Sequence, residues 1–162
     1  MRKDSLEIPL CKVTDPPLMG VGEIMNVVPH RPPFLFLDSV LELTDDCAVG
    51  IKHVSLSEPC LQGHFPKNPI MPGLLQVEAA CQLGHVLASR QVENMSDYWF
   101  YLASCKNIRF KKQVVPGDTL LMKVTMVLAF RRGFMGLEWS AFVRGELVSF
   151  GEAVAGLSKK TS

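Results

Sequence analysis

Along the chain, apolar and polar positions follow two repeating patterns, separated by Gly/Pro-rich breaks. From Gly73 to about Gln91, apolar residues cover nearly every side of a 3.6-residue turn; Leu75, Val77, Ala80, Leu83, Val86 and Leu87 are among them. This predicts one long helix buried on several sides. Elsewhere the pattern is β-like. "FLFLDSVLEL" and "CAVGIKHVSL" are two runs separated by the turn "TDDC". "YWFYLASCKNIRF" is an aromatic-rich third run. "VVPGDTLLMKVTMVLAF" turns at Pro116-Gly117-Asp118 and continues as a long strand. In "LEWSAFV", Leu137, Trp139, Ala141 and Val143 share one face, with Glu138 and Ser140 on the other. A short hairpin at Arg144-Gly145 leads into "ELVSFGEAVAGL". "GVGEIMNVV" forms one or two helical turns, stopped by "PHRPP", because a residue before proline is pushed out of the helical region.

One buried helix and five or six strands joined by short turns predict an α+β domain, with a curved, mainly antiparallel sheet wrapped around a central helix. Residues 1–19 have little periodicity and read as an arm on the surface; residues 20–162 form the domain.

Composition narrows the function. Seventeen basic and 16 acidic residues leave a net charge of +1, which argues against nucleic acid as the main partner. No apolar run reaches the ~20 residues of a membrane span, and the N-terminus lacks the apolar stretch of a secretory signal. Five cysteines without paired spacing suit a reducing compartment, so a cytoplasmic location is expected.

Candidate chemistry lies in "GHFPKNPIMPGLLQVEAACQ". Pro66, Pro69 and Pro72 stiffen the loop that carries His64, whose imidazole titrates near neutrality and suits a general base. At Gly73 the helix begins, and its first amides have no intrahelical partner, so they can polarise a carbonyl oxygen. Glu78 lies more than a turn inside the apolar helix. Burial there would favour a protonated carboxyl, a proton donor. A loop histidine also commonly serves as a structural hydrogen bonder, and a helix glutamate commonly faces water; those readings stand beside the acid–base one.

The same stretch resembles the active-site segment of the 3-hydroxyacyl-acyl-carrier-protein dehydratases of fatty acid synthesis, whose pattern is close to G-H-F-P-x-x-P-x-M-P-G, followed by Glu-Ala and then Gln. His64, Pro69, Met71, Pro72, Gly73, Glu78, Ala79 and Gln82 match in register. "VVPHRPPFLFLDSVLEL" is similar to that family's N-terminal P-H-R-x-P-F-L-x-x-D segment, and "NIRFKKQVVPGDTLLMKV" to its later V-x-P-G-D strand entry. The resemblance spans roughly residues 22–157.

It implies a hotdog fold and a homodimer, also able to assemble as a trimer of dimers. His64 of one subunit and Glu78 of the other would share each active site. The implied reaction is reversible loss of water from a 3-hydroxyacyl thioester to give the trans-2-enoyl thioester. His64 would take the C2 proton, Glu78 would protonate the leaving hydroxyl, and the Gly73 amide would hold the thioester oxygen. Glu78 stands where related dehydratase-isomerases carry Asp, which places the chain in the branch without isomerisation. No metal or cofactor is required. An apolar tunnel for the acyl chain is expected between the central helix and the "YWFYL" strand.

The implied partner, acyl carrier protein, is acidic. Arg109, Lys111, Lys112, Arg131 and Arg132 are candidate contacts, with strand-end solubility as the plainer reading. His30 and Arg31 are read as anchors of the N-terminal segment. Pro32, Gln76 and the first twenty residues depart from the family pattern.

Three other readings fit parts of the sequence. Cys60/His64 and Cys81/His85 share a spacing able to hold a metal, but neither is a common zinc pattern. A hotdog thioesterase would use similar groups. A non-catalytic acyl-binding subunit would be expected to lack His64 or Glu78.

Overall fold

The computed structural model describes residues 1–160; the last two residues of the expected domain lie outside the described residues. Helix α1 (Val21–Val27) precedes strands β1 (Ser39–Leu43) and β2 (Cys47–His53). Helix α2 (Gly73–Ala88) follows the Gly/Pro loop, and β3 (Tyr98–Phe110), β4 (Thr119–Arg131), β5 (Phe134–Val143) and β6 (Glu146–Lys159) complete the chain. Short 3₁₀ turns lie at Asp4–Leu6, Pro59–Leu61 and Met95–Asp97.

The six strands form one antiparallel sheet in the order β1-β2-β4-β5-β6-β3. It curls around α2, which is buried from Gln76 to Ala88 except at Glu78. This is the hotdog arrangement. Gly84 lets helix and sheet meet: a Cβ there would lie 2.6 Å from the Leu137 side chain. Leu137, Trp139, Ala141 and Val143 of β5 join the helix-side core, as their alternation predicts. The turns at Pro116-Gly117-Asp118 and Arg144-Gly145 form where expected.

Three local expectations change. The helix ends at Ala88 rather than Gln91; Ser89–Gln91 continue in tightened turns, with the Arg90 and Gln91 amides bonded to Leu87 and Ala88 carbonyls. The first β run starts only at Ser39. Upstream, the Gln82 side chain takes the backbone groups a strand would use: its Oε1 accepts from the Phe36 amide and its Nε2 donates to the Phe34 carbonyl, both at 2.8 Å. The third change is on the outer face of β5, which is as buried as the inner face. Glu138 and Ser140 are 5% and 0% exposed, because the first residues of the chain lie over them. Glu138 accepts bonds from the Arg2 amide and the Ser5 hydroxyl. Burial works to raise the Glu138 pKa, but these bonds outweigh it and hold the carboxyl below its usual range.

Candidate active site

The His64 loop runs along the start of α2. The His64 Nδ1 lies 2.8 Å from the Ile70 carbonyl, and the ring stacks on Phe65 with centroids 4.3 Å apart. A carbonyl only accepts, so in the neutral ring Nδ1 carries the proton and Nε2 keeps its lone pair. That is the tautomer a base needs. His64 and Gly73 line one cavity of about 380 Å³ with Met71, Leu74, Phe110 and Val114. The structure thus joins the candidate base to the candidate oxyanion amide. A Cβ at Gly73 would lie 2.7 Å from the Phe110 ring, so any other residue there would displace that ring. Gln76, an oddity in the sequence, is buried and accepts a 2.7 Å bond from Ser149.

Glu78 lies elsewhere. It lines a second cavity, of about 200 Å³, with His30, Gln82, His85, Phe100 and Tyr101. Sequence reasoning expects Glu78 to be buried; its side chain is 22% exposed in the single chain. Its Oε1 accepts a 2.9 Å bond from the Gln82 Nε2 and lies 3.5 Å from the His30 Nε2. One chain therefore does not bring His64 and Glu78 into a common pocket.

The expected anchoring role suits Arg31, which donates to the Met25, Val28 and His30 carbonyls and so holds the end of α1. His30, its neighbour, instead reaches Glu78. Sequence reasoning gives Gln82 only a place in the family pattern and weighs His85 only as half of a metal pair, although both are legible as polar residues in an apolar helix, four and seven positions beyond Glu78.

Among the basic candidates, Lys111 and Lys112 line the His64 cavity, and Lys112 pairs with Glu146. Arg109 is exposed and donates to the Ile108 carbonyl. Arg131 and Arg132 sit at the β4–β5 hairpin, at the far end of β4. As for a metal, no group of three or more His, Cys, Asp or Glu side chains is arranged to hold one among the described residues. Burial, and then Glu78, push the Cys81 thiol pKa up, which disfavours the thiolate a metal would need.

Residues 28–152 match the model of the FabA-like domain. The chain is 46% identical over 134 residues to the 3-hydroxyacyl-[acyl-carrier-protein] dehydratase FabZ of Streptococcus pyogenes serotype M3, covering 82% of this chain and 94% of that protein. To the FabZ of Syntrophobacter fumaroxidans it is 42% identical over 137 residues, covering 85% and 92%. It is 37% identical over 155 residues to the bifunctional enzyme LpxC/FabZ of Porphyromonas gingivalis, and there 96% of this chain spans only 34% of the relative's length. Among solved structures, the dehydratase heterocomplex ApeI:P from Xenorhabdus doucetiae matches with a TM-score of 0.71 at 18% identity, covering 85% of this chain and 91% of that one. The PaaI protein of Escherichia coli matches at 0.57 and 14%, covering 72% and 80%. Those two likenesses establish the fold, and the sequence matches establish the family: the chain belongs to the FabA-like domain family, among its FabZ 3-hydroxyacyl-[acyl-carrier-protein] dehydratases.

Proposed function

We propose that the chain dehydrates 3-hydroxyacyl thioesters carried by acyl carrier protein to trans-2-enoyl thioesters, reversibly, in fatty acid biosynthesis, and that it does so in the cytoplasm as a homodimer with shared sites. One observation carries this reading: the two halves of an acid–base site lie at opposite ends of the same unpaired edge strand. β3 pairs with β6 on one side; on its other side no strand lies among the described residues. That free edge exposes Trp99, Tyr101 and Leu102, an arrangement soluble proteins otherwise avoid. Phe100–Leu102 wall the Glu78 cavity, and Phe110 walls the His64 cavity. Antiparallel pairing of two β3 edges about a twofold axis puts the 100–102 end of one chain beside the 106–110 end of the other. Each half-site then meets its complement.

The chemistry follows from the parts. The bare His64 Nε2 takes the C2 proton while the Gly73 amide stabilises charge on the thioester oxygen. Glu78, protonated and held by Gln82, gives its proton to the departing hydroxyl, which leaves as water. Each positioned group contributes roughly 10²–10⁴ in rate. The free cysteines and a chain in which no described helix can cross a membrane support the cytoplasmic assignment.

Mixing two inactive variants tests the shared site. His64→Ala and Glu78→Gln homodimers are each expected to lose nearly all turnover. Unfolded and refolded together, they form heterodimers in which one site regains both groups, and activity returns to about a quarter of the parent. Recovery no greater than the sum of the separate variants would place both groups of a site in one chain.

A further inference from the structure

His85 is a buried histidine without an evident structural task. It is 2% exposed, and neither Nδ1 nor Nε2 meets a hydrogen-bond partner among the described residues. Buried polar atoms in folded proteins nearly always have partners, so both nitrogens point to a bound polar group or water. Its one close ring contact is apolar: Phe100, with centroids 4.9 Å apart.

Its position is informative. Glu78, Gln82 and His85 follow one another along one side of α2 at spacings of four and three residues. His85 lines the 200 Å³ cavity of Glu78 and also a further cavity of about 270 Å³, walled by Asn26, Arg31, Ser96, Tyr98 and Lys160. Asn26, Arg31 and Ser96 are exposed, so this outer cavity opens to solvent. Both cavities are large enough for several waters. The imidazole thus stands in the wall between the Glu78 cavity and the outer cavity that opens to solvent.

We propose that His85, with water in these two cavities, relays protons from solvent to Glu78 between turnovers. The inference rests on the reading of Glu78 as the acid. In each dehydration the C2 proton goes to His64, the C3–O bond breaks, and the Glu78 proton leaves with the hydroxyl as water. Glu78 is left as a carboxylate and must regain one proton, and His64, left as an imidazolium, must release one to solvent. A proton arriving from solvent through the outer-cavity water adds to the bare ring nitrogen of His85. Rotation of the imidazolium about the Cβ–Cγ bond turns that nitrogen toward the inner cavity, where it gives the same proton to water that passes it to Glu78. The neutral ring keeps its tautomer, and the reverse rotation returns it to its starting position.

Burial pushes the His85 pKa down to about 4, helped by His30 and Lys160. The ring therefore rests neutral, with one donor and one acceptor, and passes a proton on instead of storing it. The titratable and charged groups around it are Glu78, His30 and Cys81 on the inner side, and Arg31, Tyr98 and Lys160 on the outer. The relay residue acts through Glu78 and touches no substrate.

The test uses the full-length protein, crotonyl-pantetheine for hydration, and the corresponding 3-hydroxybutyryl thioester for dehydration. In His85→Ala, kcat for dehydration should fall about tenfold in dilute buffer and recover as imidazole is added, as small acids take over the proton supply. The first turnover and kcat/KM should stay at parent values, with KM falling in step with kcat, and the parent should show no imidazole dependence. A loss that imidazole does not restore, an equal loss in the first turnover, or no loss at all would overturn the relay. If the alanine variant does not fold, the parent decides: its steady-state rate in H₂O/D₂O mixtures should show a curved, multi-proton dependence absent from the first turnover, and identical dependence in both refutes the proposal. Glu78→Gln separates the two readings. If it keeps its first turnover, the acid assignment fails and takes the relay with it. If it is inactive while His85→Ala matches the parent in every buffer, only the relay fails.

Discussion

The two halves of the proposed active site are built by opposite means. His64 is fixed by a loop: prolines limit the backbone, the Ile70 carbonyl sets the tautomer, and the surrounding cavity is mostly apolar with lysines at its rim. Glu78 sits on a helix amid polar side chains, with Gln82, His30 and His85 around it. A base that removes a carbon-bound proton needs one orientation and one tautomer. An acid that is consumed in every cycle also needs a supply of protons. In the proposed roles, a stiff loop would meet the first need, and a polar stripe along a buried helix the second. Both halves adjoin β3, whose free edge would join them across a dimer.

The largest expected effect comes from keeping the halves apart. Ala103 and Ser104 lie exposed near the middle of β3. Replacing both with Asp would put like charges against like charges about the twofold axis. Sedimentation should then find a folded monomer, with activity at least about 100-fold down because every site loses its acid or its base. An active monomer, or an unchanged active dimer, would break the comparison.

A smaller effect is expected within the Glu78 half. Gln82→Leu keeps the helix apolar but removes the bond to Glu78 and leaves the Phe36 amide and Phe34 carbonyl without their partner. The loop should lose about 1–3 kcal/mol for those buried groups. kcat should fall about tenfold with little change in KM, since the acid is still present but poorly held. Thermal melting and steady-state kinetics separate the two effects. An unchanged kcat with a lowered melting temperature would reduce Gln82 to a stitch between helix and loop.

Much of this was legible in the sequence. The strands from Tyr98 onward and the helix from Gly73 declare themselves by period, and the turns at Pro116-Gly117 and Arg144-Gly145 by composition. What stayed hidden depends on contacts between segments far apart in sequence. Phe34–Leu37 have a strand's composition, but Gln82, nearly fifty residues later, takes their hydrogen bonds. Glu138 and Ser140 alternate like an exposed face, yet the residues of the arm cover them. The fourteen-position separation of His64 and Glu78 looks like the span of one site, although the helix start turns the two groups toward different cavities. Periodicity reports which face of an element is apolar and carries no information on what will cover the other.

The weakest expected effect concerns the rim. Lys111 and Lys112 border the His64 cavity, with Lys112 partly neutralised by Glu146. Arg131 is in register with Phe134, Phe134 with Gly156, and Gly156 with Tyr101, so the β4–β5 hairpin lies on the Glu78 side, about 15 Å from the β3 edge. The twofold pairing that completes the site would bring one chain's lysines and its partner's arginines around the same mouth. Charge reversal at Arg109, Lys111 and Lys112 together should therefore lower kcat/KM for carrier-protein thioesters by about two- to fivefold, and reversal at Arg131 and Arg132 by a similar or smaller factor. Pantetheine thioesters, which present no acidic surface, should be spared by both. Added salt should shrink the parent's preference for the carrier protein and leave the variants little changed, because long-range attraction is screened over about 10 Å at 0.1 M. If only the lysine-side variant responds, the carrier protein meets the His64 half alone. If both substrate types suffer equally, these cations hold the strand ends and the carrier protein docks elsewhere.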